Sequence, residues 1–435
     1  VILGCRPKKV MSDFYSSQEL EQLAQRGIRI LLPEQTAIRR DVDLQQLETG
    51  AVLHPGTRLQ GQSTRILAGA EIGPGGYVVL EDSVVGPGAI VGAQGPVSLR
   101  QSWVGPQTIL GMGVAEEAVF LGREHSGAPP TTGVGFRVRK GSLYEEGACS
   151  GQHTDTKMTL LMPWVTLGSN INFCDVLLAG GTGDPPGQFS EVGSGTIHFN
   201  FTIRGDKATA SLLGNVCEGV FLRSERLFIG GNCSLLGPLL AEFGAFSAAG
   251  ARLSGQLASG LNLGTAHLSG HKSYDPRCFP NLRWIVSTQL QFFGELVALF
   301  HWYDQVRVQM ARDAFQESLY RQGQYIIQRN LEERIAQLQL LTELVAENQS
   351  HSERVLPETK LKDQRAWLQN WTQRKEQLQS YASTPKLAPE GLLRELMDAE
   401  GTYTRKIQQL SQATAEAGQR WLESIAKPFC EGGLG

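Results

Sequence analysis

The chain has 435 residues, enough for two or three domains, and its 41% hydrophobic and 19% charged content is that of an ordinary globular protein. Forty basic residues against 43 acidic ones give a formal net charge of −3, which carries neither the footprint of a nucleic-acid binder nor a polybasic membrane patch. Seven scattered cysteines without a CxxC pair exclude a disulfide frame and read as reduced thiols in a cytoplasmic protein, with no metal site expected. No apolar run is long enough to span a membrane.

Val1 to Val10 carries a basic pair with no apolar stretch after it, so no signal peptide is expected there. Because the chain opens on Val, a cropped chain, an alternative start and initiation at Met11 all stay open. Residues 1–34 are expected to form a cap on the repetitive region beginning at residue 35. Ser17 reads as a helix N-cap with Glu19 and Glu21 near the positive end, and Gly27 as the stop. Ile28 to Leu32 reads as a strand. A repetitive sheet needs such a lead-in to hide its first unpaired edge.

Residues 35–272 carry the dominant signal. Ile66, Ile72, Val78, Val84 and Ile90 keep a beat of one apolar residue in six, and upstream Leu47, Leu53 and Leu59 already show the same spacing. After one extra residue, Val97, Trp103 and Ile109 resume it, with glycines such as Gly73, Gly86, Gly92 and Gly105 close behind the apolar positions. This is the hexapeptide repeat of a parallel β-helix: each face is a short strand with a large apolar residue pointing inward, and the chain then turns a corner. The beat lapses over residues 113–150 and again over 180–190, where GGTGDPPGQ interrupts it. Loops thrown out of a solenoid tend to gather on one face and build its binding surface. The first of them bears His125.

Residues 276–427 change character. Glycine becomes sparse, and Trp284, Phe292, Phe293, Leu296, Val297, Phe300 and Val306 form a wide apolar face at helical spacing. Ile327, Leu331, Ile335, Leu338 and Val345 continue it, and Trp367, Trp371, Leu378, Leu393, Met397, Ile407, Trp421 and Ile425 supply later faces. The expected fold class is therefore mainly β: a parallel β-helix of hexapeptide repeats followed by a C-terminal α-helical module of three to five helices. That module is expected to cover the end of the solenoid, join subunits or recruit a protein partner.

Three segments carry a resemblance: GSGTIHFNFTIRGDK (Gly193 to Lys207), FIGGNCSLLGP (Phe228 to Pro238) and FSAAGARL (Phe246 to Leu253). They resemble the acetyltransferase domain of the bifunctional N-acetylglucosamine-1-phosphate uridyltransferase/glucosamine-1-phosphate acetyltransferase family. The likeness extends over roughly residues 35 to 260. It implies a left-handed β-helix, a homotrimer, and acetyl-CoA with a sugar phosphate or amino sugar bound between subunits. It also implies His153 of GQHTD as the general base, Asn200 as a substrate contact, and Lys140 and Lys207 for phosphate, with Arg204 as helper. Gly231, Ala248 and Ala249 would line the acetyl-CoA. His198 should project to the same side of its strand as Asn200 and is the alternative base. Phe201 and Gly231 replace a hydroxyl-bearing tyrosine and serine of the family pattern, and the uridyltransferase half has no counterpart. The expected function is acetyl transfer to an amino sugar or sugar phosphate in cell-envelope precursor metabolism. The alternatives are a non-catalytic trimeric scaffold and a partner of a sugar nucleotidyltransferase.

Overall fold

A computed structural model describes residues 13–125, 127–184, 187–200, 202–265, 274–383 and 386–431. Val1 to Val10, Met11, Phe201 and the last residues lie outside them. A short helix α1 (Ser17–Glu21) opens the described chain. Its cap is Ser16, one residue earlier than expected, because Glu19 bonds back to the Ser16 backbone while the Ser16 hydroxyl accepts from Glu19 N–H. Gly27 ends this lead-in with φ +72°, as its position suggested.

From Arg29 to Asn262, strands of two to eight residues form a parallel β-solenoid of about 12 turns. Every named strand pairing among the described residues is parallel. The register stacks Leu47, Ile66, Val85 and Val104 in one column, and Leu53, Ile72, Val91 and Leu110 in another. Coils in this region are therefore nineteen residues long, as from Ile66 to Val85 and from Val85 to Val104. The extra residue enters earlier than the sixfold beat suggested, between Val78 and Val85. Val84, expected to point inward, lies between Arg65 and Trp103 on the outer side, and Val85 is the inward residue. Ile90, Trp103 and Ile109 are likewise displaced by one from the inward Val91, Val104 and Leu110.

The extra residue has a physical identity. At one corner Gly61, Asp82, Gln101, Glu117, Gly141, Met158 and Asp175 follow one another up the solenoid, all with positive φ. From Asp82 to Met158, each rung donates its backbone N–H to a carbonyl of the coil below. A second corner repeats the device with Gly135, His153, Asn170, Gly195, Asn232 and Gly250. Left-handed backbone is costly for a residue with a Cβ, about 1–2 kcal/mol each, and Gly, Asn, Asp and His tolerate it best.

The helical region comprises α3 (Leu282–Trp302), α4 (Ala314–Glu347), α5 (Gln349–Val355), α6 (Glu358–Gln379), α7 (Glu390–Asp398), α8 (Tyr403–Gln409) and α9 (Gln412–Cys430), with α2 (Val216–Gly219) inserted earlier between coils. The helices lie along the flank of the solenoid and leave Leu261 and Leu263 of its last coil exposed. Gln289 of α3 bonds both ways with the backbone of Ala210, and Glu295 caps α2 by accepting from Val216 and Cys217 N–H. Helix α4 follows the first corner: Arg329 approaches Glu117 (4.0 Å), Asn330 donates to Gly141 O (2.9 Å), and Arg334 pairs with Asp175. Phe315 of α4 stacks on Trp103.

The densest contact is polar. Arg307, 1% exposed, meets Glu145 (3.0 Å) and Glu146 (2.8 Å) of a solenoid corner and lies over the rings of Tyr303, Tyr320 and Tyr403. Tyr303 Oη donates to Glu145 at 2.5 Å. One guanidinium faces two buried carboxylates; burial above all, with Glu146 beside it, pushes the Glu145 carboxyl up to about 7 despite the pull of Arg307.

Val85→Asp places a carboxylate in a dry column and should cost several kcal/mol, on the order of an unpaired buried polar group. In urea denaturation it should be far more damaging than Val79→Asp, at a partly exposed position on the outer side of its strand; equal losses would reject the register. For Glu145, the raised value means that the folded chain keeps a proton the unfolded chain has released. The resulting stability is complete below its ordinary value of 4.5 and is lost as pH rises through about 7. Urea midpoints of the wild type should therefore fall more steeply than those of Glu145→Gln between about pH 5 and 8. Parallel slopes would show that Glu145 holds no extra proton.

Candidate functional site

Two coil extensions leave the solenoid at its third corner. The strand ends Phe120, Tyr144, Leu161 and Leu178 stack upon one another. After Tyr144 and Leu161 the chain turns tightly, through Glu145–Gly147 and Met162–Trp164. After Phe120 and Leu178 it runs out instead, into the loops that carry His125 and Asp184. Both interruptions seen in the sequence thus stand on one corner, and they meet: His125 Nε2 is hydrogen-bonded to Asp184 Oδ2 across 59 residues. Helix α8 closes the remaining side. Gln408 donates to Thr182 O (2.8 Å) of the second loop, while Thr404 donates to Glu124 of the first through both N–H (3.0 Å) and hydroxyl. Burial, reinforced by Glu146, raises the Glu124 carboxyl above its ordinary range.

The result is a cleft of about 550 Å³ lined by Glu124, His125, Trp164, Asp184, Thr404 and Arg405, among others. Its chemistry is that of a positioned base beside a cation. With Nε2–H donated to Asp184, Nδ1 of His125 is the nitrogen left to take a proton. Arg405 is exposed and available for an anionic group.

The residues singled out from the sequence are distributed differently. His153 is exposed and occupies a rung of the second corner column, with φ 54° and its ring over Gly135. It therefore fills a backbone position that Asn170 and Gly195 fill on the next coils. His198 is 3% exposed and bonds through Nδ1 to Cys174 O (2.6 Å) and through Nε2 to the Ser211 hydroxyl (2.7 Å). Burial depresses it to about 4, so the ring is neutral. Asn200 stands just past the end of the strand Ile197–Phe199, next to a coil extension that includes residues 202–210. Asn200 Nδ2 donates to Asp175 Oδ2 (2.7 Å), whose other oxygen takes Arg334 of α4.

Arg204 reaches across to Cys278 O (2.8 Å) and lies over the rings of Tyr274 and Phe279. With Thr202, Asp206, Thr209 and Trp284 it lines a second cavity of about 330 Å³. Lys207 is exposed, and Lys140 opens on a groove bounded by Arg329, Glu332 and Glu333 of α4. Gly231 stacks between Gly193 and the Ala248–Ala249–Gly250 turn, where Gly250 N–H donates to Gly231 O (2.8 Å). Arg204 thus sits on the coil extension that follows Asn200, while Lys140 and the Gly231–Ala249 ledge belong to other parts of the solenoid. Sequence reasoning missed the His125–Asp184 pair. Its only signal was that both loops interrupt one repeat, which could not say that they share a corner.

Among known proteins, no family model matches this chain, and no curated protein matches it.

The Arg334–Asp175 pair is the contact that holds the Asn200 extension to α4, with side chains 2% and 9% exposed. Arg334→Met strands a buried carboxylate and should lower unfolding free energy by about 3–5 kcal/mol. Arg334→Met with Asp175→Asn should recover part of that loss in the same urea titration; a harmless Arg334→Met would mean the pair is solvated.

Proposed function

We propose that the chain is a hexapeptide-repeat acyltransferase that moves an acyl group, acetyl in the simplest case, from a coenzyme A thioester to the amine of an amino sugar or sugar phosphate. The observation that carries this reading is the His125–Asp184 pair at the mouth of the cleft beside Arg405. The β-solenoid and the resemblance at Gly193 to Lys207 support the reaction class. The donor set fits both reactants: Arg405 suits a phosphate, and the largely buried Trp164 offers an apolar wall. Coenzyme A, when bound, supplies the activated acyl carbon.

His125 Nδ1 takes the proton from the acceptor amine as its nitrogen bonds to the thioester carbon. With a thioester bound, the carbon–sulfur bond would break and the proton held at His125 Nδ1 would pass to the departing sulfur, so that the products would be an amide and a free thiol. Asp184 holds the ring in the tautomer with Nδ1 open and stabilises the imidazolium formed during the step. A homotrimer, with the cleft completed or bordered by a neighbouring subunit, belongs to the same proposal. His153 remains the candidate from the sequence; His125 is preferred because it has a carboxylate partner and faces a cleft.

His125→Ala should lower acetyl transfer to glucosamine phosphates by about 10²–10⁴ and leave coenzyme A binding nearly unchanged. Asp184→Asn should cost less, and His153→Ala little. If His153→Ala abolishes turnover while His125→Ala does not, the base is His153. If the wild type transfers no acyl group to any amino sugar tested, the reading fails.

A further inference from the structure

A different group of side chains gathers where the solenoid passes into the helices. Asp275 and Cys278 precede α3, and His351 lies on α5, 76 residues away from Asp275. Their ligand atoms, a carboxylate oxygen, the Cys278 thiol sulfur and an imidazole nitrogen, all lie within 4.8 Å of one another. His351 Nε2 is already 2.6 Å from Asp275 Oδ2.

We infer that Asp275, Cys278 and His351 bind one zinc ion, with water as the fourth ligand. The mixture decides the metal. Thiolate with imidazole and carboxylate suits Zn²⁺, whereas Ca²⁺ and Mg²⁺ take oxygen donors. Tetrahedral zinc with bonds of about 2.0–2.3 Å sets its ligand atoms roughly 3.3–3.8 Å apart. The Asp275–His351 pair need only open by about 1 Å, the proton between them giving way to the metal, and the thiol need close by a similar amount.

The surroundings are built for it. Arg277 holds Asp275 through its backbone N–H (3.0 Å), Nε (3.0 Å) and NH2 (2.9 Å), the outer partner that orients a ligating carboxylate. Arg204 Nε donates to the Cys278 carbonyl (2.8 Å) and so fixes the backbone that carries the thiol. Cys278 is 5% exposed, so its sulfur is sheltered from bulk solvent. The absence of a CxxC pair hid this site from the sequence, because one ligand comes from α5. Its consequence is mechanical: the ion would pin the segment entering α3 to α5 and, through Arg204, to the cavity lined by Thr202 and Trp284.

The test uses the full chain. Cobalt(II), added as a spectroscopic stand-in, should bind at one per chain and give a sulfur-to-cobalt charge-transfer band. Cys278→Ser should abolish the band, and His351→Ala should weaken zinc binding, measured by competition with a chromophoric chelator, by more than about tenfold. Cys430→Ser should change neither. Zinc should also raise the melting temperature of the wild type and not that of His351→Ala, a comparison that stands even if Cys278→Ser folds poorly. Absence of a thiolate band in the wild type, a band that survives Cys278→Ser, or a zinc-induced rise undiminished in His351→Ala would each overturn the site. None of these readouts depends on acyl transfer.

Discussion

The constraint on which the rest depends is that every coil must present its inward residue directly above the one below while the chain turns three corners. Strands of two to four residues cannot absorb an extra residue by bulging without turning their side chains over. The corners absorb it instead. A residue in left-handed conformation, stacked on its counterpart one coil away, reverses the chain and hands the next strand its correct face. Gly61, Asp82, Gln101, Glu117, Gly141, Met158 and Asp175 do this on one edge. The bonds from one rung to the coil below return part of the backbone cost of those conformations.

The corners then become the places where the molecule varies. Adding residues inside a strand would break the column, while adding them between two rungs leaves both neighbours in register. The His125 loop, the Asp184 loop and the extension that includes residues 202–210 all enter at corners, and each lines a cavity. The candidate sites are concentrated there for the same reason that insertions are tolerated there: the side chains are free of the core and their neighbours above and below are fixed.

The helices use the corners as well. Arg307 docks on Glu145 and Glu146 of the third corner, and Asn330 and Arg334 dock on Gly141 and Asp175 of the first. Corner backbone and corner carboxylates project outward, so a helix laid along the flank meets polar groups that need partners. Burying Arg307 with two carboxyl groups is expensive, and the three tyrosine rings lying over the guanidinium and the Tyr303 hydroxyl donating to Glu145 offset part of that cost. The helical tail is therefore one wall of the His125 cleft through α8, and the boundary of the second cavity through Trp284.

By itself the sequence determined the architecture. A sixfold apolar beat with glycine punctuation has one simple structural meaning, and a glycine-poor stretch with apolar residues at steps of three and four has another. Both are local periodicities, readable from neighbours in the chain. It also located the two interruptions and His125. What the sequence could not determine was set between coils and between domains. The register moved by one at Val84 and Val85 because the extra residue is fixed by its neighbours above and below, not by those beside it. His153, the base implied by the resemblance, stands on a corner rung in space, because left-handed backbone is a preference His shares with Asn and Gly. His198 lost its exposure to the Cys174 carbonyl and the Ser211 hydroxyl, neither of which is near it in sequence. His125 met Asp184, and Cys278 met His351, only because stacking and helix docking closed separations of 59 and 73 residues, distances over which no periodicity carries information.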